Sequence, residues 1–235
     1  EEQGLRGAAA FDTSKLHSTV SYVLDHATDI GEVITAAPSL HQMTADFQGV
    51  EAHAGLVPEA GRSAIAVAAR AIDSMELGRL DEGTTANVGM IEGGSSTNVI
   101  PGNCRIHGEA RAVEPGRVAE VIAAMSDACV WAASEAGCEV DIVTREVFRG
   151  YRVPEASSAL AIAEKALNDQ GIEPKRVATG GGSDANVFIK AGFDSVLLAN
   201  GTYGNHTSSE SVPQANLGVM LEVCEAILVE AAGRC

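Results

Sequence analysis

Carboxylate and imidazole side chains at three places in the chain have the chemistry of metal ligands. Glu1 and Glu2 stand side by side, Asp25 ends the run LHSTVSYVLD, and His206 lies in the glycine-rich stretch GTYGNHTSSE. Carboxylate oxygens and imidazole nitrogens are ligands that zinc and similar divalent cations take. Each residue also has an ordinary alternative: a Glu pair is commonly a solvated chain end, a strand-end Asp a hydrogen-bonding cap, and a loop His a surface residue.

Two apolar runs position Asp25 and His206. Residues 16–25 and 195–200 predict buried strands, and each strand has one of these residues at its end or in the loop that follows. The other predicted elements of this layer are helices at 155–170 and from 212 to about 232, and the loop TGGGSDAN (179–186), which overlaps the start of a short helix. Apolar strands separated by helices predict an α/β layer, which binds ligands where strands end along one edge.

The middle of the chain has different periodicities. Residues 41–148 predict the order strand, helix, strand, strand, helix, strand. The first helix has an apolar stripe of Ile65, Ala68, Ala69, Ile72 and Met75 and stops at Gly78, and the second has a stripe of Val118, Val121, Ile122, Met125 and Cys129. The strand at 104–113 alternates, with Cys104, Ile106 and Gly108 on one face and Arg105, His107, Glu109 and Arg111 on the other. This βαββαβ order predicts a ferredoxin-like domain.

The predicted architecture is therefore one α/β domain interrupted by a ferredoxin-like domain. The α/β domain comprises residues 1–40 and 151–235, the inserted domain comprises residues 41–150, and the first part of the α/β domain is expected to be absent, because too few strands are present to close its core.

Composition excludes two classes of partner. The chain of 235 residues has 16 Lys and Arg against 32 Asp and Glu, a formal net charge of −16, which repels the phosphates of nucleic acids. No apolar run approaches the length of a membrane span. The five cysteines are scattered and form no CxxC motif. That usage is typical of a reducing compartment, so we expect a cytoplasmic protein without a disulfide framework.

Six blocks of the sequence together resemble one enzyme family. They are EEQGLRGA, YVLDHATDIGEVITAAP, GVEAHAGLVPEAGRSAI, EGGSSTNVIPGNCRIHGEAR, GGGSDANVF and GNHTSSE. In the same order, and over nearly the whole chain, they are similar to the signature blocks of the co-catalytic zinc metallopeptidases related to carboxypeptidase G, acetylornithine deacetylase and peptidase T. The peptidase T-like branch is the most similar. The resemblance implies a zinc-binding α/β domain interrupted by a ferredoxin-like lid, which often carries a dimer interface.

In the α/β part, the resemblance assigns a role to each candidate ligand. Glu1 matches the general base, which takes a proton from the water between the metals and returns it to the leaving amine. Glu2 matches a ligand of one zinc, Asp25 a ligand of the other, and His206 the last zinc ligand. The implied cofactor is a pair of zinc ions, with cobalt or manganese as alternatives, which polarise the scissile carbonyl and acidify the water.

Five further residues match positions that contact the substrate. His53, in AHAG, matches a lid histidine that stabilises the oxyanion of the tetrahedral intermediate, often in the dimer partner's active site. Asn98, in STNVIP, and Arg111, in GEAR, match lid positions that hold polar groups of the substrate, and the fork of an arginine can bind both oxygens of a carboxylate. Gly181 and Ser183, in GGGSDAN, match the loop that lines the substrate pocket.

Ordinary alternatives stay open for two of these residues and for the glycine-rich loop. His53 can be a turn residue before a helix, and Arg111 can be a surface residue or an ion-pair partner of Glu109. The loop TGGGSDAN can be read as a phosphate cradle, but it lacks the lysine that a P-loop has after its glycines.

The expected function is metal-dependent hydrolysis of a short peptide by a homodimeric tripeptidase or aminopeptidase. An N-acyl amino acid deacylase on the same machinery is the alternative, because both need the same metals, base and arginine. The family also has a histidine and a metal-bridging aspartate upstream of its Glu pair. We therefore expect this chain to be the C-terminal part of a larger enzyme and, if nothing precedes Glu1, to be inactive. In that case a non-catalytic dimerisation module, working through the lid, is the alternative.

Overall fold

The structure is a computed structural model that describes Glu1 and residues 3–233. In chain order its strands are β1 (Val20–His26), β2 (Glu32–Ala37), β3 (Ser39–Gln48), β4 (Ala52–His53), β5 (Gly78–Asp81), β6 (Thr84–Gly93), β7 (Val99–Ile100), β8 (Asn103–Ala112), β9 (Glu139–Phe148), β10 (Tyr151–Arg152), β11 (Lys175–Ala178) and β12 (Asp194–Ala199). Its α-helices are α1 (Arg6–Ala10), α2 (Ala64–Asp73), α3 (Arg117–Glu135), α4 (Ser158–Asp169), α5 (Asp184–Lys190) and α6 (Gln214–Ala232). The chain forms two compact units: a split unit, residues 1–38 and 148–235, and a continuous unit, residues 39–147.

A mixed sheet forms the centre of the split unit. Its order is β1-β12-β2-β10, and β11 also pairs with β2. β1 is parallel to β12, β12 is antiparallel to β2, and β11 is parallel to β2. Val196 and Leu198 of β12 share a buried cluster with α4 and α6, whereas Leu197 shares another with Ala185 and Ile189 of α5. Helices therefore cover both faces of β12, which explains why its apolar run is unbroken, and the prediction that this strand is buried is confirmed.

A polar cap joins the start of α4 to the start of β12. Ser157 Oγ accepts a hydrogen bond from the backbone N–H of Leu160 (2.9 Å) and donates one to Asp194 Oδ1 (2.6 Å). Asp194 Oδ2 accepts from the N–H of Ala159 (3.1 Å). The first N–H groups of a helix have no partner within the helix, so these two side chains satisfy them and fix where α4 begins.

The continuous unit is a sheet covered by two helices. The strand order is β5-β6-β8-β3-β9, with β8 antiparallel to both β6 and β3. α2 and α3 pack against each other and share one buried cluster with β3, β6 and β8. Cys104, Ile106 and Gly108 of β8 are buried as predicted. Gly108 has no room for a side chain, because a Cβ there would come 2.9 Å from Met125 Cε and 3.0 Å from Asn87 O.

The two apolar stripes predicted for the helices of this unit had different outcomes. The α3 stripe is confirmed, since Val118, Val121, Ile122, Met125 and Cys129 are all buried. The α2 stripe is confirmed only in part: Ala68 is buried and Ile72 and Met75 pack against the core, but Ala69 is exposed and the other buried residues are Ala64, Val67 and Ala71. Ile65 is 39% exposed, and α2 ends at Asp73 with Ser74 as its C-cap, before Gly78. Alanines lie on both faces of α2, so its sequence has little contrast between the buried and exposed sides.

β1 also differs from the prediction of a buried strand. All 7 residues of β1 are at least partly exposed, and Leu24 is 39% exposed. β1 is the last strand in the order of its sheet among the described residues, so only one of its edges is covered by a neighbouring strand.

Four cysteines, Cys104, Cys129, Cys138 and Cys224, are free thiols, and Cys235 lies outside the described residues. Within residues 3–233, we find no helix that combines the length and the apolarity needed to cross a membrane.

Candidate active site

The parallel pairing of β1 with β12 brings Asp25 and the loop of His206 to the same edge of the sheet. His26 is paired with Ala199, the last residue of β12. The N–H of Asn200 then donates to His26 O (2.9 Å), and Asn200 Nδ2 donates to Leu24 O (3.1 Å). The chain that leaves β12 toward His206 is therefore hydrogen-bonded to the residues on either side of Asp25.

Loop 200–206 is fixed by contacts on both of its sides. Gly201 adopts a left-handed φ of 73°, its N–H donates to Thr28 O (3.0 Å), and its carbonyl accepts from Asn216 Nδ2 (2.9 Å). Tyr203 OH donates to Asp29 Oδ1 (2.7 Å). His206 itself has a φ of 64°, which is uncommon for a residue with a side chain and needs surrounding contacts to maintain it. The loop is thus a built structure attached to the loop after β1.

At this edge, burial and nearby acidic groups shift the pKa of His26 in opposite directions. Asp25 and His206 are exposed, and His26 is half-buried. Burial lowers the pKa of His26, while the nearby Glu32 and Asp25 carboxylates oppose that shift. His26 Nε2 lies 4.0 Å from Glu32 Oε2. The neutral imidazole is therefore favoured at this position despite two acidic neighbours.

Two buried polar atoms at this edge have no hydrogen-bond partner in the described part of the chain. They are Thr28 Oγ1, in the loop after β1, and Asn205 Oδ1, next to His206. A buried polar atom without a partner costs free energy, so such atoms usually mark the place of a water molecule or of a ligand group. Their position in the two loops that flank Asp25 and His206 makes this edge a polar site.

The Glu pair is only half described. The carbonyl of Glu1 accepts a hydrogen bond from the N–H of Leu5 (2.8 Å), and Leu5 is buried with a φ of 62°. α1 follows Leu5 directly and packs against α5, which covers the sheet face that contains Leu197. Glu2, the predicted zinc ligand, lies outside the described residues.

Gly181 and Ser183 lie in a loop at the opposite end of β2. The N–H of Thr179 donates to Ala36 O (2.9 Å), whereas the edge that carries Asp25 is at the Glu32 end of β2. Four residues of strand separate these positions, or about 13 Å. Backbone pairing therefore places this loop and the Asp25–His206 edge at different ends of the sheet.

In the continuous unit, β4 and β7 form a two-stranded ribbon that brings together His53 and Asn98. His53 is paired with Val99, and the N–H of Ala54 donates to Asn98 O (2.9 Å). His53 Nδ1 accepts a hydrogen bond from the N–H of Gly55 (3.1 Å). Because Nδ1 is an acceptor, the neutral ring carries its proton on Nε2, which makes the exposed Nε2 a hydrogen-bond donor.

Arg111, the predicted anchor for a substrate carboxylate, is paired with its neighbour on β8. Arg111 Nε donates to Glu109 Oε1 (2.9 Å), and the two side chains are 30% and 33% exposed. The ion pair that sequence analysis gave as the ordinary alternative is therefore present. At this exposure the pair contributes little to stability, so a substrate carboxylate can compete with Glu109 for the guanidinium.

Comparison with known proteins relates the chain to peptidases. A peptidase dimerisation domain, M20_dimer, matches residues 35–136. The structures of the aminopeptidase PepT from Bacillus cereus and of a tripeptidase from Staphylococcus aureus superpose on the chain with TM-scores of 0.90 and 0.94, at 37% and 32% sequence identity. The chain therefore contains a dimerisation domain of the M20 peptidase type and is similar, over both of its units, to an aminopeptidase and a tripeptidase. Each structural match covers 99% of this chain and 62% of the other chain.

Relatives in sequence extend the same comparison. The chain is 38% identical to the uncharacterized protein YqjE of Bacillus subtilis over 232 residues, which are 99% of this chain and 62% of YqjE. It is 30% identical to the acetylornithine deacetylase of Myxococcus xanthus over 202 residues, 79% of this chain and 50% of the deacetylase. The chain thus spans less than two thirds of the length of these relatives.

The candidate metal ligands of the chain are of the types that bind divalent cations, but they do not form a complete ligand set. Asp25 supplies a carboxylate and His206 an imidazole, both of which suit zinc. Among the described residues, no group of three or more His, Cys, Asp or Glu side chains is arranged to hold a metal ion. The described residues therefore supply part of a ligand set, in which Glu2 has no described position.

One residue that organises the predicted substrate loop was not predicted from the sequence. Asn186 is 2% exposed, and its side chain makes a capping box with Ser183 at the start of α5. The signal was present as Ser-x-x-Asn in the block GGGSDAN, since a capping box places a polar residue three positions after the N-cap.

Proposed function

We propose that the complete protein is a metal-dependent hydrolase of short peptides, of the tripeptidase or aminopeptidase type. The observation that carries the proposal is the match of 99% of this chain, across both units, to an aminopeptidase and a tripeptidase with TM-scores of at least 0.90. The edge with Asp25, His206 and two unpartnered polar atoms supports the placement of a polar active site in the split unit.

The two units take the two roles that such an enzyme needs. The split unit is proposed as part of the catalytic α/β domain, and the continuous unit as a ferredoxin-like lid. The antiparallel strands β6, β8 and β3, with β9 beside β3 and with α2 and α3 on one face, support the lid assignment.

Zinc is the proposed cofactor, as two ions per active site, with cobalt or manganese as alternatives. Glu2, Asp25 and His206 would hold the ions, together with the histidine and bridging aspartate that the family resemblance places upstream of the Glu pair. When bound, the ions supply Lewis acidity, which polarises the scissile carbonyl and lowers the pKa of water.

The remaining chemistry belongs to the chain's own residues. The Glu1 carboxylate takes a proton from the attacking water while the water oxygen forms a bond to the carbonyl carbon. His53 donates its Nε2–H to the oxyanion that develops on the carbonyl oxygen. The C–N bond then breaks, and Glu1 returns the proton to the leaving amine. The products are a carboxylate and a free amine, with one water consumed.

Four further residues are proposed to recognise the substrate. Arg111 would bind a substrate carboxylate in place of Glu109, and Asn98 would hold another polar group of the peptide. Gly181 and Ser183 would line a part of the pocket that is remote from the metal ions, because backbone pairing places their loop about 13 Å from the edge of the proposed metal site. A short peptide is the proposed substrate because it offers both a carboxylate and an amide to these groups.

An N-acyl amino acid deacylase is the second candidate. The similarity to the Myxococcus xanthus acetylornithine deacetylase favours it. The same residues would act, and the substrate would present an acyl amide instead of a peptide bond. Parallel assays on tripeptides and N-acyl amino acids separate the two by their kcat/KM values.

A homodimer that forms through the continuous unit is the proposed assembly. Residues 35–136 match a peptidase dimerisation domain, which supports this assignment. A non-catalytic dimerisation module is the competing reading of that match. Such a module would form dimers in sedimentation experiments but would bind no metal and hydrolyse no substrate. The four cysteines that are free thiols among the described residues support a reducing compartment, and we propose the cytoplasm.

The decisive experiment compares two exposed histidines of the complete protein. His206→Ala removes a proposed zinc ligand, and His17→Ala removes an exposed histidine that has no proposed role. We expect wild type to bind zinc and to release free amino acids from tripeptides. His206→Ala should lose more than about a hundredfold in kcat/KM together with bound zinc, whereas His17→Ala should keep both. A zinc-loaded complete protein that cleaves neither tripeptides nor N-acyl amino acids would overturn the proposal.

A further inference from the structure

Asn186 is a buried polar side chain that joins two backbone segments. Its Oδ1 accepts a hydrogen bond from the N–H of Ser183 (3.0 Å), and its Nδ2 donates to Arg149 O (2.8 Å). The residue is 2% exposed. From this geometry we propose that Asn186 is a positioning residue for the substrate, which acts by setting the shape of loop 179–183. The proposal rests on the proposed function, because that function assigns the loop to the substrate pocket.

Loop 179–183 has few internal means of holding one shape. Three of its five residues are glycines, which have the largest conformational freedom of all residues. Its start is fixed by the hydrogen bond from the N–H of Thr179 to Ala36 O (2.9 Å). Thr179 Oγ1 then accepts from the N–H of Gly181 (3.1 Å). At the far end, the Asn186 side chain accepts from the N–H of Ser183, while Ser183 accepts from the backbone N–H groups of Ala185 (3.3 Å) and Asn186 (2.9 Å) at the start of α5.

Phe148, which precedes the Arg149 that Asn186 contacts, restricts the space around Gly182 in the middle of the loop. A Cβ on Gly182 would overlap the ring of Phe148, and Arg149, which accepts the hydrogen bond from Asn186, directly follows Phe148. The loop and the segment 148–149 are therefore packed and hydrogen-bonded as one structure. Asn186 is the side chain that bonds to both.

Both hydrogen bonds can form only if the side chain carries a donor and an acceptor on a terminal group as far from the backbone as the asparagine amide. Alanine makes neither, and serine is too short to span Ser183 and Arg149 together. Because the site is buried, water does not replace a lost bond without rearrangement. Loss of the Asn186 side chain should therefore leave the N–H of Ser183 without its partner and detach the loop from Arg149, while the backbone hydrogen bonds to Ser183 O and from Thr179 to Ala36 O stay intact.

A loop that lines the pocket affects how the substrate binds more than how the bond is broken. A substrate must then select the ordered loop from several conformations, which raises the apparent dissociation constant in proportion to the lost population. Two lost hydrogen bonds near the lower end of the ordinary range of strength correspond to about a tenfold change. We expect Asn186→Ala to raise KM by about tenfold and to leave kcat within about twofold.

The control is a second helix cap that is buried in the same unit. Ser157 is 6% exposed and caps α4, so Ser157→Ala costs stability by the same mechanism without touching loop 179–183. The experiment measures KM and kcat of the complete protein as wild type, Asn186→Ala, Asn186→Ser and Ser157→Ala. Hydrogen–deuterium exchange of the same four proteins follows the amides of residues 180–184.

The expected result is a higher KM and about tenfold faster exchange at residues 180–184 in both Asn186 variants, with neither change in Ser157→Ala. If Asn186→Ala does not fold, Asn186→Ser carries the test. The proposal is overturned if folded Asn186 variants keep wild-type KM and loop exchange, or if Ser157→Ala raises KM equally. If wild type cleaves no peptide or acyl amide, the proposed function fails by itself, and unchanged exchange at residues 180–184 would then overturn the role of Asn186 in setting the loop.

Discussion

Replacing Gly201 by alanine tests whether the loop that carries His206 is held in place by its own contacts. Gly201 has a φ of 73°, a backbone conformation that disfavours any residue with a Cβ. The added Cβ would also come 3.0 Å from Asn216 Cγ. Asn216 Nδ2 is the group that donates to Gly201 O (2.9 Å). The added methyl group therefore has two effects. It strains the backbone at residue 201, and it collides with the Asn216 side chain that holds the loop.

The magnitude follows from these two effects. A left-handed backbone costs alanine about 1–2 kcal/mol. Moving Asn216 away loses a hydrogen bond worth about 1 kcal/mol. We expect Gly201→Ala to lower the free energy of unfolding by about 2–3 kcal/mol. Since domains are stable by only about 5–15 kcal/mol, this change is large enough to shift a urea unfolding midpoint clearly.

Gly171 provides the matched control. Its φ is 72°, and an added Cβ there would have no atom within 4 Å. Gly171→Ala should therefore show the backbone strain alone, about 1–2 kcal/mol. The difference between the two variants isolates the contact with Asn216. Urea unfolding of both variants and zinc titration of the complete proteins give the readouts, and only Gly201→Ala should weaken zinc binding.

Two results would refute this reasoning. If Gly201→Ala costs no more stability than Gly171→Ala, Asn216 does not hold the loop. If Gly201→Ala is destabilised as expected but binds zinc like wild type, the position of His206 does not depend on the contacts of Gly201.

Three further predictions concern the continuous unit. In steady-state assays, Arg111→Lys should raise KM several-fold for a substrate with a carboxylate, because lysine lacks the two-pronged guanidinium. Arg105→Lys, on the same strand, is the control and should leave KM unchanged. Burial raises the pKa of the Cys129 thiol from 9.0 to about 11. The folded state therefore keeps a proton that the unfolded state loses, so stability present below pH 9 should be lost toward pH 11, and Cys129→Ala should flatten that slope in urea unfolding. Ile106→Ala should cost about 2–5 kcal/mol in the same assay, because Ile106 is fully buried.

The sequence was most informative where side chains of different polarity alternate. β8 places Cys104 and Ile106 in the core and Arg105 on the other face, as its period of two predicted. α3 likewise buries its whole predicted stripe. In both elements apolar and charged residues occupy different faces, so only one orientation buries the apolar side.

The predictions failed for an element whose two faces have similar polarity and for a strand whose burial depends on neighbouring segments. α2 is rich in alanine, which fits either face, and its predicted stripe included Ile65 and Ala69, which are exposed. β1 is apolar yet partly exposed throughout, because the burial of a strand depends on what covers its edges and faces. The ribbon of β4 and β7 has 2 residues in each strand, too few to show any period, although it is what brings His53 and Asn98 together.

The candidate site shows the same division between local and long-range information. Asp25 and the loop of His206 converge as predicted because β1 and β12 happen to be parallel. Gly181 and Ser183 follow β11, which runs parallel to β2 while β12 runs antiparallel to it, so their loop lies at the other end of β2. Strand direction comes from pairing between distant segments, and no local pattern encodes it. It follows that separate contacts hold the two loops. Gly201→Ala should therefore change zinc binding without changing the exchange of residues 180–184, and Asn186→Ala should do the reverse.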